Sequence, residues 1–500
     1  MSDRFQVIVI KRFFLLALIL AFCNLSPAVA DDKESFFPPT LQTDGKDRIF
    51  SVGGSTGFGF SQLGIWPDLL CKSTKDLLCN FNKSEFENRV SATAMLELCQ
   101  SQTENDCIES VEISNDGVNF KKLIFEKYMP DGFLSSSAGN SFPADPNLSL
   151  PKGGLPSIWT ETIGGQLSQL KYLVYYKYEM KFNQIKNKFE PVRVSLAATP
   201  FKETAGLVWS SLWTNGAISG IQYDFHSESA LQITVRVSKQ ISGWFKARMR
   251  DIDIQISPYD ELNNRLIVKG SAVSTPNFAV VKRMDSLNSA EEEFATHFGF
   301  SKGAVTTDPS DSKIFDYVQY WRSYLKDISS YTTTSWNIES TTWSSDNQCL
   351  QDSKKVVGIV ATNAMGFDGN APKFINGSLD YRVTGFHFKP DGITPNLGTY
   401  DLVIRSDAAR CLYGFSNAPV SAQVSVSSSN GVNNVATTVV SEKNGWLNLK
   451  AAGFTFSEKI IKVKITQTKN LRYTINCVKG PVLKKVSGIK PKCPKGFKSL

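Results

Sequence analysis

Much of the chain alternates short apolar and polar runs in the way that is typical of β-strands. β-branched and aromatic side chains are abundant in four runs that are separated by polar turns: 170–182 (LKYLVYYKYEMKF), 231–237 (LQITVRV), 252–256 (IDIQI) and 265–268 (RLIV). A parallel α/β fold would require a helix between successive strands, and we find no such helices here. The pattern therefore predicts an antiparallel β-sandwich over residues 158–285.

A second group of strand-like runs occupies residues 336–468. It includes GSLDYRVTGFHF, GTYDLVIRS, AQVSVSSS and KVKIT, each bounded by turns rich in glycine, proline or asparagine. The length suits an immunoglobulin-like sandwich, but the cysteine and tryptophan spacing of an antibody domain is absent. The periodicity predicts a second sandwich without identifying its type.

Helical periodicity is clearest between these two regions, in residues 286–330. Residues 289–298 (SAEEEFATHF) begin with a good capping residue and carry three glutamates in the first turn, where they oppose the helix dipole. Residues 311–328 form a second amphipathic pattern, with Ile314, Val318, Trp321, Leu325 and Ile328 on one face. We expect two helices, the second packed on a sheet through an aromatic stripe that belongs to the core.

These patterns predict a mainly β protein: multi-domain antiparallel β-sandwiches with a short helical insertion and a disulfide-closed C-terminal hairpin. About 470 residues after a signal peptide are too many for one core. The stretch ADPNLSLPKGGLPS is the first credible linker. The expected segments are a signal peptide (1–30), an N-terminal disulfide-containing β region (31–143), a β-sandwich-like domain (158–285), a helical segment (286–330), a C-terminal β-sandwich (336–468) and a basic stapled tail (469–500).

The first 30 residues indicate export. Lys11 and Arg12 precede an apolar run at 13–23 (FFLLALILAFC), and Ala28-Val29-Ala30 then provides small residues for cleavage. The apolar run is shorter than the roughly 20 residues of a membrane-spanning anchor. A lipid attachment site at Cys23 is disfavoured by the bulky Phe22. We expect cleavage near Ala30 and a secreted or cell-surface protein, with no transmembrane segment in the mature chain.

Cysteine usage agrees with an oxidising compartment. Removing Cys23 leaves an even set of eight cysteines. Local spacing favours pairing between neighbours in sequence, because three of the pairs then close short loops. A metal site is the alternative, but the two-residue spacing of a zinc knuckle is missing. The expected pairs are Cys71 with Cys79, Cys99 with Cys107, Cys349 with Cys411, and Cys477 with Cys493.

The positive charge is concentrated at the C-terminus. Residues 459–500 contain twelve Lys or Arg and no Asp or Glu, so the formal +8 of the chain becomes 8 − 12 = −4 before residue 459. For an exported protein this favours envelope polyanions over nucleic acid as partners. The alternative is that the lysines only keep a terminal hairpin soluble. The candidate polyanion contacts are Lys484, Lys485, Lys490, Lys492, Lys495 and Lys498.

Three stretches carry a family resemblance: GTYDLVIRSDAARCLYGFSNAPVSAQVSV, GWLNLKAAGFTFSEKIIKVKITQ and the tail NCVKGPVLKKVSGIKPKCPKGFK. Together they resemble a class of uncharacterised exported proteins from Actinobacteria. The resemblance is clearest over residues 370–500. The loop at 99–107 and GWFKARMRDIDIQI at 243–256 are similar to more N-terminal parts of such proteins. The resemblance implies secretion and surface association, and it carries over no catalytic residue.

The sequence evidence for catalytic residues is weak. Gly53-Gly54-Ser55-Thr56-Gly57 fits G-x-S-x-G, but a hydrolase elbow needs a helix directly afterwards and a parallel sheet. The available bases for Ser55 are His226, His297 and His387. Glu291, Glu292 and Glu293 could supply an acid and a base, yet adjacent helical carboxylates point in different directions.

Two candidate binding features have simpler explanations. Asp346 and the turn Asp368-Gly369-Asn370 lack the alternating oxygen ligands of a regular calcium site. Trp336 and Trp343, with Tyr331 nearby, could stack sugars, but the tryptophans are seven residues apart and would face opposite sides of an unbroken strand. We expect a turn and partly buried tryptophans.

The sequence as a whole favours an exported, non-catalytic β protein that associates with envelope polymers through its basic tail, without cofactor or metal. The alternative is a secreted hydrolase acting on polysaccharide or ester bonds. An enzyme should have a deep cleft where titratable groups converge, such as a histidine beside Ser55 or two carboxylates across a groove. Either arrangement would count against the non-catalytic function.

Overall fold

The computed structural model describes residues 47–52, 61–65, 69–77, 79, 81, 86, 89–129, 141–203, 220–299, 304–341, 347–350, 355–415, 420–428, 433–435, 437–456, 459–467, 473–488 and 491–499. Within these residues the chain is mainly β, as predicted, and has several antiparallel sheets and three short α-helices. The predicted signal peptide lies outside them.

The strands are numbered here in chain order. The first half contains β1 (Asp47–Val52), β2 (Gln62–Ile65), β3 (Leu69–Leu70), β4 (Val90–Met95), β5 (Ile108–Ser114), β6 (Lys121–Lys122), β7 (Ile124–Tyr128), β8 (Ser157–Ile163), β9 (Gln166–Asn183), β10 (Lys188–Glu203), β11 (Gly220–Gln222), β12 (Ala230–Ser238), β13 (Gly243–Arg248), β14 (Arg250–Pro258), β15 (Asn263–Ser271), β16 (Val273–Asn277) and β17 (Ala279–Arg283).

The second half contains the helices and the remaining strands. The helices are α1 (Ser289–Phe298), α2 (Ile314–Tyr324) and α3 (Ser406–Tyr413). The strands are β18 (Ala304–Thr307), β19 (Tyr331–Ser340), β20 (Val356–Thr362), β21 (Gly366–Phe367), β22 (Lys373–Ile375), β23 (Ser378–Thr384), β24 (Leu397–Arg405), β25 (Val420–Ser428), β26 (Asn433–Val435), β27 (Thr437–Lys443), β28 (Trp446–Thr455), β29 (Lys459–Gln467), β30 (Tyr473–Lys479), β31 (Val482–Gly488) and β32 (Lys498–Ser499).

One large sheet runs through most of the protein. Its main path is β27-β28-β24-β20-β13-β19-β10-β9-β4-β2-β3. The strands β10, β19 and β13 pair antiparallel, whereas β13 and β20 pair in parallel. This parallel contact joins a strand of the predicted first sandwich to a strand of the predicted second one. The two predicted sandwich regions therefore share a sheet.

The large sheet is covered on both faces, because alternate side chains of its strands enter different cores. On β24, Val403 belongs to the first core, whereas Leu402 and Ile404 belong to the second. The first core is shared with the five-stranded sheet β14-β15-β12-β5-β6, and the second with the six-stranded sheet that contains β23, β25 and β29. The arrangement is sandwich-like, with one layer common to both halves.

The helical segment forms a third core with the small sheet β17-β1-β18. Helix α1 has the predicted bounds, and Asn288 caps it through a capping box with Glu291. Helix α2 is shorter than the predicted 311–328. Its Ile314, Val318 and Trp321 are fully buried, so the aromatic stripe belongs to the core as expected.

Four disulfides are present, with the predicted pairing: Cys71–Cys79, Cys99–Cys107, Cys349–Cys411 and Cys477–Cys493. Cys411 lies on α3, which is capped at its C-terminus by Gly414 in a left-handed conformation. The loop between Cys99 and Cys107 is also held by hydrogen bonds from the buried side chain of Arg236. Arg236 donates to the carbonyls of Ser101 and Glu104 and pairs with Glu109 at 2.9 Å.

Candidate functional site

The basic tail folds into a sheet of its own, which we call the tail sheet, with strand order β31-β30-β32. Cys477 on the central strand is fully buried and is bonded to Cys493. Most of β31 is exposed, including Val482 and Leu483. The segment therefore buries little apolar surface, and the disulfide supplies a constraint that a larger core would otherwise provide.

The candidate lysines of the tail sheet are exposed. This holds for Lys484, Lys485, Lys492, Lys495 and Lys498, whereas Lys490 lies outside the described residues. Lys485 is opposite Asn476 and Lys498 is opposite Val478. Since Asn476 and Val478 are two residues apart on β30, Lys485 and Lys498 project from the same face of the sheet, on either side of the central strand.

These lysines differ from many other lysines of the protein in that they form no ion pairs among the described residues. In the part of the chain that the structure describes, no carboxylate forms a salt bridge with the five exposed tail lysines. By contrast, Lys121, Lys152 and Lys186 on the body each pair with a glutamate at 2.7–3.0 Å. The tail lysines thus present a positive field that neighbouring carboxylates do not cancel.

Not all twelve C-terminal basic residues belong to this tail. Lys459, Lys462 and Lys464 lie on β29, which pairs with β23 and β25 in the six-stranded sheet. Lys459 is buried, and Lys462 contacts Asp380 at 3.7 Å. Lys464 is exposed but belongs to this sheet, so the basic segment that is separate from the body begins after Gln467.

A second feature is a cleft of about 520 Å³, which we call the charged cleft. It lies beside the large sheet, where β10, β13 and β19 meet the residues that follow β18 and β21. Its charged lining residues are three cations and four carboxylic acids: Arg193, Lys246, Arg382, Asp308, Asp311, Glu339 and Asp368. Arg193, Lys246 and Glu339 are distant in sequence and are brought together by the pairing of β10 and β13 with β19.

Alternating charges cross four neighbouring strands at one wall of the cleft. Glu179 on β9 is opposite Arg193 on β10, and Glu339 on β19 is opposite Lys246 on β13. Arg193 Nη1 lies 3.0 Å from Glu339 Oε1. Lys246 Nζ lies 3.8 Å from Glu339 Oε1 and 3.8 Å from Asp308 Oδ2. The order of signs is therefore negative, positive, negative, positive, with Asp308 added from the loop after β18.

The environment shifts the pKa values of two of these carboxyl groups in opposite directions. Burial raises the pKa of Glu339, although Lys246 and Arg193 oppose the shift. Burial also acts to raise the pKa of Asp308, but Lys246 and the hydrogen bonds from Ser310 outweigh it, so that pKa is lowered. Ser310 donates to Asp308 Oδ1 from its backbone N–H at 2.7 Å and from its hydroxyl at 2.6 Å.

This arrangement bears directly on the hydrolase alternative. Two carboxyl groups with divergent pKa values are the usual acid and base of glycoside cleavage. Here Lys246 contacts both Glu339 and Asp308, so the two groups are bridged by a protein cation and do not face each other across open space. The cleft does bring several titratable groups together, as an enzyme requires. The hydrolase alternative therefore stays a prediction.

The candidate catalytic residues from the sequence are distributed over the molecule. Ser55 lies outside the described residues. His297 Nε2 is 3.2 Å from Asp311 Oδ1, and His387 Nδ1 is 2.9 Å from the carbonyl of Phe456. His226 is exposed and lines a different cavity, of about 590 Å³.

The glutamates of α1 have structural contacts. Glu291 is completely buried, and its Oε1 accepts hydrogen bonds from Lys282 Nζ at 2.5 Å and from Tyr320 at 2.8 Å. Burial opposes ionisation of Glu291, but these bonds prevail and its pKa is lowered. Glu293 pairs with Lys313 at 2.7 Å. These contacts add to the dipole interaction that the sequence suggested.

The candidate sugar-binding tryptophans and the candidate calcium-binding residues lie in different parts of the molecule. Trp336 is fully buried and donates from its indole nitrogen to the carbonyl of Gly270 at 2.9 Å; Trp343 and Asp346 lie outside the described residues. Asp368, Gly369 and Asn370 line the charged cleft. Across the residues for which there is structure, no group of three or more His, Cys, Asp or Glu side chains could hold a metal ion.

The fold and these two features define a mainly β, disulfide-containing protein with a basic terminal sheet and a charged cleft. Searches for related proteins returned no matching family model, no matching curated protein and no matching solved structure. None of the helices in the described ranges is long and apolar enough to cross a membrane.

Proposed function

We propose that this is an exported cell-surface or extracellular β protein that associates with anionic envelope polymers through the tail sheet. The observation that carries the proposal is the set of exposed tail lysines without carboxylate partners among the described residues. Four disulfides support an oxidising location. The proposal concerns retention at the envelope and assigns no catalytic residue.

The geometry of the tail sheet suits a polymer better than a small anion. Its lysines lie on an open surface, and Lys485 and Lys498 flank one strand, so several repeating negative groups can be contacted at once. Each lysine near an anionic surface contributes on the order of 1 kcal/mol, and salt weakens such contacts. Binding should therefore be additive over the lysines and sensitive to ionic strength.

The decisive experiment compares wall binding of two mature chains, one complete and one ending at Gln467. Ending the chain there leaves β29 and its sheet intact, whereas a deletion from Lys459 would remove a central strand. Cell walls are mixed with each chain across a salt series and the bound fraction is measured. We expect strong binding of the complete chain at low salt, release at high salt, and little binding of the shortened chain.

A matched control replaces Lys121, Lys152 and Lys186 by Gln in the complete chain. This removes three positive charges from the body, where each is already paired with a glutamate, and should leave wall binding almost unchanged. Wall binding that survives both the truncation and high salt would refute the proposal.

A further inference from the structure

The hairpin of β30 and β31 presents apolar side chains to solvent at its end, residues 478–485, which we call the hairpin tip. The two strands pair as far as Val482, so Gly480 and Pro481 form a two-residue turn, and Gly480 has a positive φ of 57°. Val482 and Leu483 follow this turn directly and are 54% and 56% exposed. Two successive aliphatic side chains therefore remain open to a partner.

One face of the hairpin tip mixes apolar and cationic side chains. Val478 on β30 lies opposite Leu483 on β31 and opposite Lys498 on β32. This register places the three side chains in one row across the same face of the tail sheet, and Lys485 lies on that face two residues further along β31. A partner that covers this face has to accommodate aliphatic side chains and ammonium groups together.

An anionic membrane surface meets both requirements. The exposed tail lysines form no salt bridge with a carboxylate of the described residues, so their charge is available to anionic lipid headgroups. Apolar side chains gain free energy on leaving water for the boundary between headgroups and acyl chains, whereas a dissolved polyanion offers no apolar phase. An exposed turn can also enter a soft surface without a preformed complementary groove.

The spacing along β31 matches the depth of such a contact. A strand advances about 3.3 Å per residue, so the backbone of Lys485 lies about 10 Å from that of Val482. Amphipathic segments bury their apolar side chains about 5–10 Å into the interface. The two aliphatic side chains can therefore enter to this depth while the ammonium groups of Lys484 and Lys485 stay at the level of the lipid phosphates. Pro481 has no backbone N–H, so the turn has one donor fewer to desolvate.

We propose that the hairpin tip binds the surface of a bilayer that contains anionic phospholipid, with Val482 and Leu483 inserted among the headgroups and with Lys485 and Lys498 paired with lipid phosphates. This inference rests on the proposed function, since the same lysines supply the charge for polymer binding. It adds an apolar contact that a lipid surface provides and a dissolved polymer does not. The contact is peripheral and does not span the bilayer.

The test measures binding of the full mature chain to phosphatidylcholine vesicles, with and without about 30% phosphatidylglycerol, and to soluble polyphosphate. We expect binding to the anionic vesicles and much weaker binding to phosphatidylcholine alone. Val482→Ser with Leu483→Ser should weaken vesicle binding about tenfold and leave the affinity for polyphosphate within about twofold of the wild type. Leu483→Trp should strengthen vesicle binding about threefold, because tryptophan favours the membrane interface.

The matched control is Ile185→Ser, at the turn between β9 and β10. Ile185 is 98% exposed, but the neighbouring Lys186 is paired with Glu190 at 2.9 Å. The tip charge is absent there, so this variant should bind vesicles as the wild type does. An equal loss of vesicle binding in the control and in the double serine variant would overturn the inference.

The remaining outcomes separate this inference from the proposed function. The inference alone is overturned if the wild type binds polyphosphate but not anionic vesicles, or if the double serine variant binds vesicles as tightly as the wild type. An equal loss of vesicle and polyphosphate binding in that variant also overturns it, because the aliphatic side chains would then be needed for the tail sheet itself. If the wild type binds neither ligand, the proposed function fails as well.

Discussion

The tail sheet and the charged cleft hold charges in opposite ways. The tail sheet exposes lysines without described carboxylate partners on a segment stapled by one disulfide. The cleft places cations and carboxylates within 3.0–3.8 Å of one another beside a large sheet. Exposed charges act on partners and contribute little to folding, whereas enclosed charges depend on one another. Stability measurements should therefore respond to the cleft, and binding to anionic polymer should respond to the tail.

The largest expected effect is the loss of the cation between Glu339 and Asp308. Lys246→Met removes the ammonium that contacts both carboxylates, while the side chain of Lys246 is only 14% exposed. The pair with Glu339 is largely buried, and breaking such a pair from one side destabilises a protein by about 3–5 kcal/mol, whereas the contact with Asp308, which is 49% exposed, contributes little. The measurement is the free energy of unfolding in urea. As a control, Lys485→Met in the tail sheet should change it by less than about 0.5 kcal/mol.

This comparison would be contradicted if both lysine variants had the same stability as the wild type. The buried ladder would then be no more important for folding than the exposed tail lysines.

The next effect is local to the tail sheet. Replacing Cys477 and Cys493 by Ser removes a disulfide that closes a separation of 16 residues, which corresponds to about 3 kcal/mol in the chain-entropy model. Because the tail sheet has little core of its own, we expect its amides on β30 and β31 to lose protection from hydrogen exchange. The unfolding transition of the body should stay within about 1 °C of the wild type. Retained protection in β30 would show that packing alone holds this sheet.

A smaller expected effect is the pH dependence of the free energy of unfolding that Glu339 and Asp308 cause. The folded-state pKa of Glu339 is raised above its ordinary value of about 4.5. The protonated form is therefore favoured by folding, and its contribution to stability is present below the unfolded-state pKa and is lost as pH rises through the folded-state pKa. Asp308 has a lowered pKa and contributes in the opposite sense, with stability lost as pH falls.

Glu339→Gln separates these two contributions, because it removes one titrating group and leaves the other. The free energy of unfolding of the variant, measured from pH 4 to 7, should lack the decline with rising pH that Glu339 causes in the wild type. An identical pH dependence in both proteins would contradict the assigned direction of the Glu339 shift. The tail variants should have the wild-type pH profile over this range.

Much of the fold could be predicted from local pattern. Strands such as β9, β12 and β24 carry β-branched and aromatic runs, and α1 begins at a recognisable cap, so short windows of sequence contain the signal. The disulfide pairing followed from spacing. Strand β10 was missed because Pro191 and Pro200 interrupt its pattern, and Pro191 lies at a register shift opposite β9.

The charged cleft could not be predicted in this way. Lys246, Asp308 and Glu339 come from three distant segments, and only the antiparallel register of β13 with β19 places two of them side by side. The available signal was weak: Lys246 interrupts an apolar run in its strand, whereas Glu339 lies in a largely polar stretch and does not stand out. The basic tail was easier to find, because a one-sided charge composition is visible without any knowledge of pairing. The run KVKIT also predicted that Lys462 and Lys464 belong to a strand of the C-terminal sandwich and not to the tail, and they lie on β29.

The most direct test of the tail function is the affinity for a soluble anionic polymer of two matched double variants. One is Lys485→Gln with Lys498→Gln, on one face of the tail sheet, and the other is Lys121→Gln with Lys186→Gln, on the body. Binding to polyphosphate is measured between 50 and 500 mM NaCl. We expect the tail pair to lose about tenfold in affinity at low salt and to have a shallower salt dependence, while the body pair resembles the wild type. Equal losses in both variants, or no loss in the tail variant, would contradict the proposed role of the tail sheet.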